Sequence, residues 1–257
     1  MYKAERIQKI KEIITEQKRI DVSTLSLMLN VTEATIRTDL ELLEKKGFVT
    51  RYHGGAALNT PEEASNQLYN ISNDIKIPYD KEKEQLAQAA AQLVGEREWV
   101  FLGPGTTCYY LAKALSKRSN LNIMTNNFYV INMFSSNPSI RLMFLGGRVQ
   151  NEGMYTVPDN ITQDLEQIYL SKAFFSVDAV SLEAGYTLTD IYILDIIRTV
   201  CACCKEPIMC IDSKKFDRRS FIRLEDLTFT PSIVTDKMPS SEYVRFYEEH
   251  GINIYTL

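Results

Sequence analysis

NVTEATIRTDLELLEKK, residues Asn30–Lys46, decides the reading of the N-terminal quarter of the chain. Ile36, Leu40 and Leu43 recur at spacings of four and three, so a helix would carry them as one apolar stripe. At about 100° per residue, Ala34, Arg37, Thr38, Glu41 and Lys45 then fall on the opposite side. Thr32 is placed to cap the helix start with its hydroxyl, and Glu33 suits the positive end of the helix dipole. Gly47 stands where a helix ends on a left-handed residue. Such a helix, short-chained and basic near its N-terminus, fits a DNA major groove. Taken alone it is equally an ordinary surface helix; its neighbours decide.

Upstream, Ile7, Ile10 and Ile14 give Lys3–Gln17 the same helical spacing. Lys18–Val22 is a short connection compatible with a strand. Ser23 is a suitable cap for a second helix, with Leu25, Met28 and Leu29 as its expected buried face. Asn30-Val31-Thr32 leaves room only for a tight turn, so the second and third helices form a helix-turn-helix. Beyond Gly47, FVTRYHGGAAL reads as strand, Gly54-Gly55 turn and return strand. This is a wing, with Arg51 and His53 near its tip.

The segment from Arg6 to Leu58 resembles the winged helix-turn-helix of the DeoR family of bacterial transcriptional regulators. The resemblance rests on Val31, Thr32, Thr35-Ile36-Arg37, Asp39-Leu40, Leu43-Glu44, Gly47, Arg51 and His53-Gly54-Gly55-Ala56. It implies contacts to double-stranded operator DNA from Thr32, Thr35, Arg37, Thr38 and Lys45 on the helix, and from Arg51 and His53 on the wing. Thr38 stands where the family usually carries a second Arg, which removes one charge-assisted contact.

Length and composition agree with one or two globular domains: 257 residues, 45% hydrophobic and 24% charged. The charged N-terminus is not a signal peptide, and no apolar run approaches the length of a membrane span, so a soluble cytoplasmic protein with no membrane partner is expected. Net charge is −4, but residues 1–57 carry ten basic and eight acidic side chains against nineteen and twenty-five in the remainder. A mildly basic module precedes an acidic body. The cysteines, Cys108, Cys201, Cys203, Cys204 and Cys210, are odd in number. They lack zinc-site spacing and a neighbouring His, and so read as buried thiols, with no metal or cofactor expected.

The expected organisation is a winged helix-turn-helix at 1–58, a polar linker at 59–79 with a helical turn around Gln67–Tyr69, and an α/β domain at 80–257. In the last, helical and strand patterns alternate, which argues for a mainly parallel sheet. Three turns at expected strand ends point to chemistry. Gly103-Pro104-Gly105-Thr106-Thr107 opens a helix whose N-terminus favours a phosphate; Thr125-Asn126-Asn127 offers hydroxyl and amide groups; Gly146-Gly147-Arg148 adds a cation. Together they suggest a small, anionic, hydroxyl-rich ligand.

Residues 80–257 also resemble the DeoR-family effector domain, similar in fold to ribose-5-phosphate isomerase. That resemblance rests on Gly105-Thr106-Thr107, Thr125-Asn126, Leu145-Gly146-Gly147-Arg148, Asp178, Gly185 and Asp212-Ser213-Lys214-Lys215-Phe216. It implies a regulator, expected to be a repressor, that answers to a phosphorylated sugar or related metabolite, with Gly103, Gly105, Thr106, Thr107, Asn126, Gly146, Gly147, Arg148, Asp178 and Lys215 as the expected contacts. Gly103 stands where the family usually has Asp, Pro158 where it has Gly, and Ile197 where it commonly has Lys. A homodimer or homotetramer is expected, because one helix reads two half-sites only when symmetry duplicates it. Two alternatives stay open. One is a body that serves only as an oligomerisation scaffold. The other is a sugar-phosphate isomerase, for which Asp178 is the only carboxylate to nominate as base.

Overall fold

The computed structural model describes residues 3–45, 48–52, 54–58 and 77–257; the expected helical turn around 67–69, Gly47 and His53 lie outside the described residues. The chain divides into two compact units, Met1–Lys76 and Ile77–Leu257.

In the first unit, α1 (Lys3–Gln17), β1 (Arg19–Asp21), α2 (Val22–Leu29), α3 (Glu33–Lys45), β2 (Val49–Tyr52) and β3 (Gly55–Leu58) follow in the order of a winged helix. The strands form an antiparallel sheet in the order β1-β3-β2, so Arg19–Asp21 is a strand in its own right. Ile10, Ile14, Leu25, Ile36, Leu40, Leu43 and Val49 are all fully buried and make one core. Helix α2 departs from expectation. It begins two residues before Ser23, on Asp21, and buries Val22 and Leu25, while Met28 is 52% exposed. Starting at Val22 rotates the inward face away from Met28. Asn30 ends α2 in the left-handed conformation (φ 51°), and Val31 N donates back to Ser26 O at 3.2 Å. Asn tolerates that conformation, and the turn can be this tight because of it.

Asp39 lies on the buried side of α3, not on its outer face. It is 1% exposed and accepts hydrogen bonds from Nε and Nη2 of Arg6, the second at 3.3 Å. The carboxylate in turn holds the Arg6 guanidinium above its ordinary pKa, chiefly through the hydrogen bond.

The second unit contains α4 (Lys81–Gln92), β4 (Trp99–Leu102), α5 (Thr106–Leu115), β5 (Leu121–Thr125), α6 (Phe128–Phe134), β6 (Ile140–Phe144), β7 (Arg148–Gln150) and β8 (Tyr155–Val157). These are followed by α7 (Ile161–Leu165), β9 (Leu170–Ser176), β10 (Ala179–Ser181), β11 (Gly185–Leu188), α8 (Ile191–Ala202), β12 (Cys204–Cys210), a 3₁₀ turn (Ser213–Lys215), β13 (Ile222–Glu225), β14 (Ser232–Val234), α9 (Ser241–Glu249) and β15 (Asn253–Tyr255). Seven strands form a wholly parallel sheet in the order β15-β14-β12-β9-β4-β5-β6. Alternate residues of each strand enter different cores, as the two-residue period of a strand requires. Val100, Leu102, Ile123 and Ile208 pack with α4, α5 and α6. Phe101, Met124, Met209 and Ile233 pack with α8, α9 and the small antiparallel sheet β10-β11-β13.

Ile77 already packs on the body, and Pro78 O and Asp80 N are both held by the Tyr110 hydroxyl at 2.9 and 2.8 Å. Two thiols, Cys108 and Cys210, are buried, whereas Cys201, Cys203 and Cys204 are only partly so. Among the described residues no cluster of His, Cys, Asp and Glu could hold a metal. None of their helices is long and apolar enough to cross a membrane.

Candidate DNA interface and ligand site

Helix α3 presents a face built for contact. Thr32 caps it, with Thr35 N donating to its hydroxyl oxygen at 3.3 Å, and the Thr32 and Thr35 hydroxyls lie 2.9 Å apart. Ala34, Arg37, Thr38 and Glu41 are exposed, and Thr35 is half-buried. Arg37 is 57% exposed and donates to Glu33 at 2.6 Å, one turn earlier. An exposed i,i+4 pair of this kind is worth only about 0.3–0.5 kcal/mol, so a phosphate or guanine edge displaces it readily. Thr38 donates to Ala34 O at 3.1 Å, which commits its proton to the helix and leaves its oxygen free to accept. Lys45 closes α3; its side chain lies outside the described residues.

On the wing, Gly54 supplies the positive φ (96°) at the tip. A side chain at Gly55 would meet Ile20 O and the Tyr52 hydroxyl at 2.5 Å, so only glycine lets β3 close on β1 there. Arg51 is exposed at this end; its backbone N–H donates to Glu44 at 2.9 Å and its guanidinium lies 3.8 Å from the same carboxylate.

The ligand site follows from sheet order. From β4 the chain proceeds to β5 and β6 on one side, then crosses to β9, β12, β14 and β15 on the other. The order reverses between β4 and β9, and in open parallel sheets that reversal opens a crevice at the strands' carboxyl ends. The glycine turn after β4 lies there. Gly105 (φ 93°) starts α5 with no side-chain cap, leaving the first backbone N–H groups of the helix for an anion. Facing it, Lys215 donates to Ser176 Oγ at 2.7 Å, Thr107 donates to the same oxygen at 3.2 Å, and Asp212 lies 3.4 Å from the lysine. Thr107, Lys215, Ser176 and the start of α5 thus form one polar group.

The remaining expected residues divide. Gly103 is structural: any side chain would press on Phe175 at 2.8 Å and Phe174 O at 3.1 Å, which accounts for glycine where the resemblance leads one to expect Asp. Asn127, absent from the expected set, clamps the turn by donating to Gly103 O and Gly105 O, each at 3.0 Å. Asn126 is fully buried and donates to Thr156 O at 2.8 Å, while its Oδ1 has no partner among the described residues. Gly147 (φ 132°) lies against Val157 O and Pro158, where a Cβ would come within 2.6 Å of the Pro158 Cα. Gly146 has open space beside it. Arg148 is 64% exposed, paired with Asp159 at 3.3 Å and over the Tyr192 ring at 5.9 Å, not joined to the Lys215 group. Asp178 is exposed and accepts Thr189 N at 2.6 Å, a turn-fixing role. Ile197 is buried in the core, and neighbouring Arg198 is taken up by Glu225 and Leu224 O. Asn127 was legible as part of the Thr125-Asn126-Asn127 turn, whereas Ser176 carries no local signal; only the pairing of β9 with β4 shows what Ser176 faces.

A winged helix whose third helix, with its cap, exposes Thr32, Arg37 and Thr38, followed by a parallel α/β body with an anion-ready crevice, is the build of a DNA-binding regulator. The DeoR-like helix-turn-helix domain matches residues 6–62, and the DeoR C terminal sensor domain matches residues 79–237, so the chain belongs to the DeoR family. It is 30% identical over 246 residues to the lactose phosphotransferase system repressor of Streptococcus mutans, covering 92% of this chain and 93% of that protein. It is 24% identical over 254 residues to the glycerol-3-phosphate regulon repressor of Escherichia coli, covering 99% of each. Among solved structures, ribose 5 phosphate isomerase A from Neisseria gonorrhoeae aligns over 53% of each chain at 16% identity and a TM-score of 0.37.

Proposed function

We propose that this chain is a cytoplasmic repressor of a carbohydrate-use operon, that it binds operator DNA as a symmetric oligomer, and that a phosphorylated sugar controls it. The observation that carries the proposal is the group at the sheet's reversal point, where an uncapped helix start, Lys215, Ser176 and Thr107 converge. Backbone N–H groups and an ammonium suit a phosphate, and the hydroxyls suit a polyol. The names of the Streptococcus mutans and Escherichia coli repressors support the sugar-phosphate assignment. Arg37 and Thr35 read base edges, Thr32 and Thr38 position the helix, and Lys45, Arg51 and His53 bind the backbone. No reaction is assigned: the carboxylate that would serve as base, Asp178, is engaged by the Thr189 backbone.

The test has two arms. Fluorescence anisotropy with duplexes from upstream of neighbouring genes should show salt-dependent binding that Arg37→Ala abolishes for the operator. Thermal shift across a panel of phosphorylated sugars should give one stabilising compound whose effect Lys215→Met removes. Silence across the panel, with Lys215→Met neutral for induction, refutes the effector assignment and leaves the scaffold reading.

A further inference from the structure

Phe221 is 87% exposed in the segment leading into β13, and neither the DNA face nor the crevice uses it. A lone exposed apolar residue needs no explanation, but this one is part of a built surface. With Glu183, Arg219 and Arg223 it lines a cleft of about 220 Å³. A second cleft, about 300 Å³, is lined by Leu182, Glu242, Arg245, Phe246 and Glu249. The last four lie at helical spacings of three and four, so α9 shows them on one face while its Tyr243 and Tyr247 enter the core. Leu182 and Glu183 are consecutive in the β10–β11 turn, so the two clefts adjoin.

The clefts are complementary in shape and sign. One offers an aromatic ring, two arginines and a glutamate; the other offers an apolar floor of Leu182 and Phe246, two glutamates and an arginine. Among the described residues none of these six charges forms a close ion pair; the Asp226 carboxyl is lowered chiefly by hydrogen bonds from Thr228, with Arg223 a smaller contributor. We infer that the clefts are the two halves of one contact between copies of this chain. Phe221 of one protomer covers Leu182 and Phe246 of the other. Arg219 and Arg223 face Glu242 and Glu249, and Glu183 faces Arg245. A twofold axis beside the β10–β11 turn makes the contact twice, which is what a self-complementary interface requires. A ring buried this way removes about 150–250 Å² from water and acts as the anchor, with the charges setting register.

This inference rests on the reading that the protein acts as a symmetric oligomer, and analytical ultracentrifugation of the full chain separates the two. The wild type should sediment as a dimer or larger, and Phe221→Glu should raise the dissociation constant on the order of thirtyfold or more. The double variant Arg219→Glu/Arg223→Glu should dissociate as well, and adding Glu242→Arg/Glu249→Arg should restore association. Far-UV circular dichroism confirms that each variant is folded, and the restored association is a result that mere unfolding cannot give. An oligomer unmoved by Phe221→Glu and by the arginine reversals overturns this surface and leaves the oligomer reading intact. A wild type that is monomeric at every concentration overturns both.

Discussion

Arg6→Met is the most exacting test of the first unit. Arg6 and Asp39 are 12% and 1% exposed, so their pairing is the one largely water-excluded ion pair described under the recognition helix. Removing one member of a buried pair leaves the other uncompensated and costs about 3–5 kcal/mol, more than an exposed pair contributes. The two members are not equivalent. Without Arg6, a short carboxylate stays trapped at 1% exposure; without Asp39, a long guanidinium swings out to water. Arg6→Met should therefore destabilise by roughly 3 kcal/mol and Asp39→Ala by roughly 2. The double variant Arg6→Met/Asp39→Leu, with both charges gone, should recover most of the loss. For a unit of this size 3 kcal/mol lowers the midpoint by about 12–24 °C. The chain's single Trp, Trp99, lies in the body, so its fluorescence ignores this unit. The early far-UV circular dichroism transition should shift while the Trp99 transition does not. Equal losses in the two single variants, or no recovery in the double, would show that the pair is a surface contact and the argument wrong.

Further expectations follow from the same geometry. Arg51→Ala should weaken binding to operator and random duplex alike and reduce the slope of log K against log salt by about 1, measured by anisotropy between 50 and 200 mM salt. Thr32→Ala should cost about 1 kcal/mol of first-unit stability in urea melts, since it removes the hydroxyl that caps α3. Gly147→Ala should destabilise the body by more than about 1 kcal/mol in Trp99-monitored unfolding, because positive φ and the Val157 carbonyl oppose a methyl group. Burial pushes the Cys108 thiol from 9.0 to about 12. Below pH 9 both folded and unfolded thiols are protonated and the stabilisation is full. Between pH 9 and 12 only the unfolded thiol ionises, so stability should fall by roughly 1.4 kcal/mol per pH unit from this group. A stability flat from pH 8 to 11 would contradict it.

The first unit was legible in the sequence because its signals are local. The 3.6-residue spacing of Ile36, Leu40 and Leu43, the Thr32 cap and the Gly54-Gly55 turn each act within a few residues. What that reading missed there was Asp39, whose partner lies 33 residues away. In the body, the long strands and helices were legible for the same reason. The strands β7, β8, β10, β11 and β13 were not: they lie outside the parallel sheet and exist only through their antiparallel partners.

Helix α3, the wing and the family thus belong to the sequence by itself. Tertiary structure decided which polar residues meet. Strand order sets Ser176 of β9 beside Thr107 and brings Lys215 from the turn after β12, while Arg148 and Asp178 are drawn to Asp159 and Thr189. The Ser176 group depends on contacts between residues 39 and 69 positions apart, and sequence spacing carries no information about distances across a sheet.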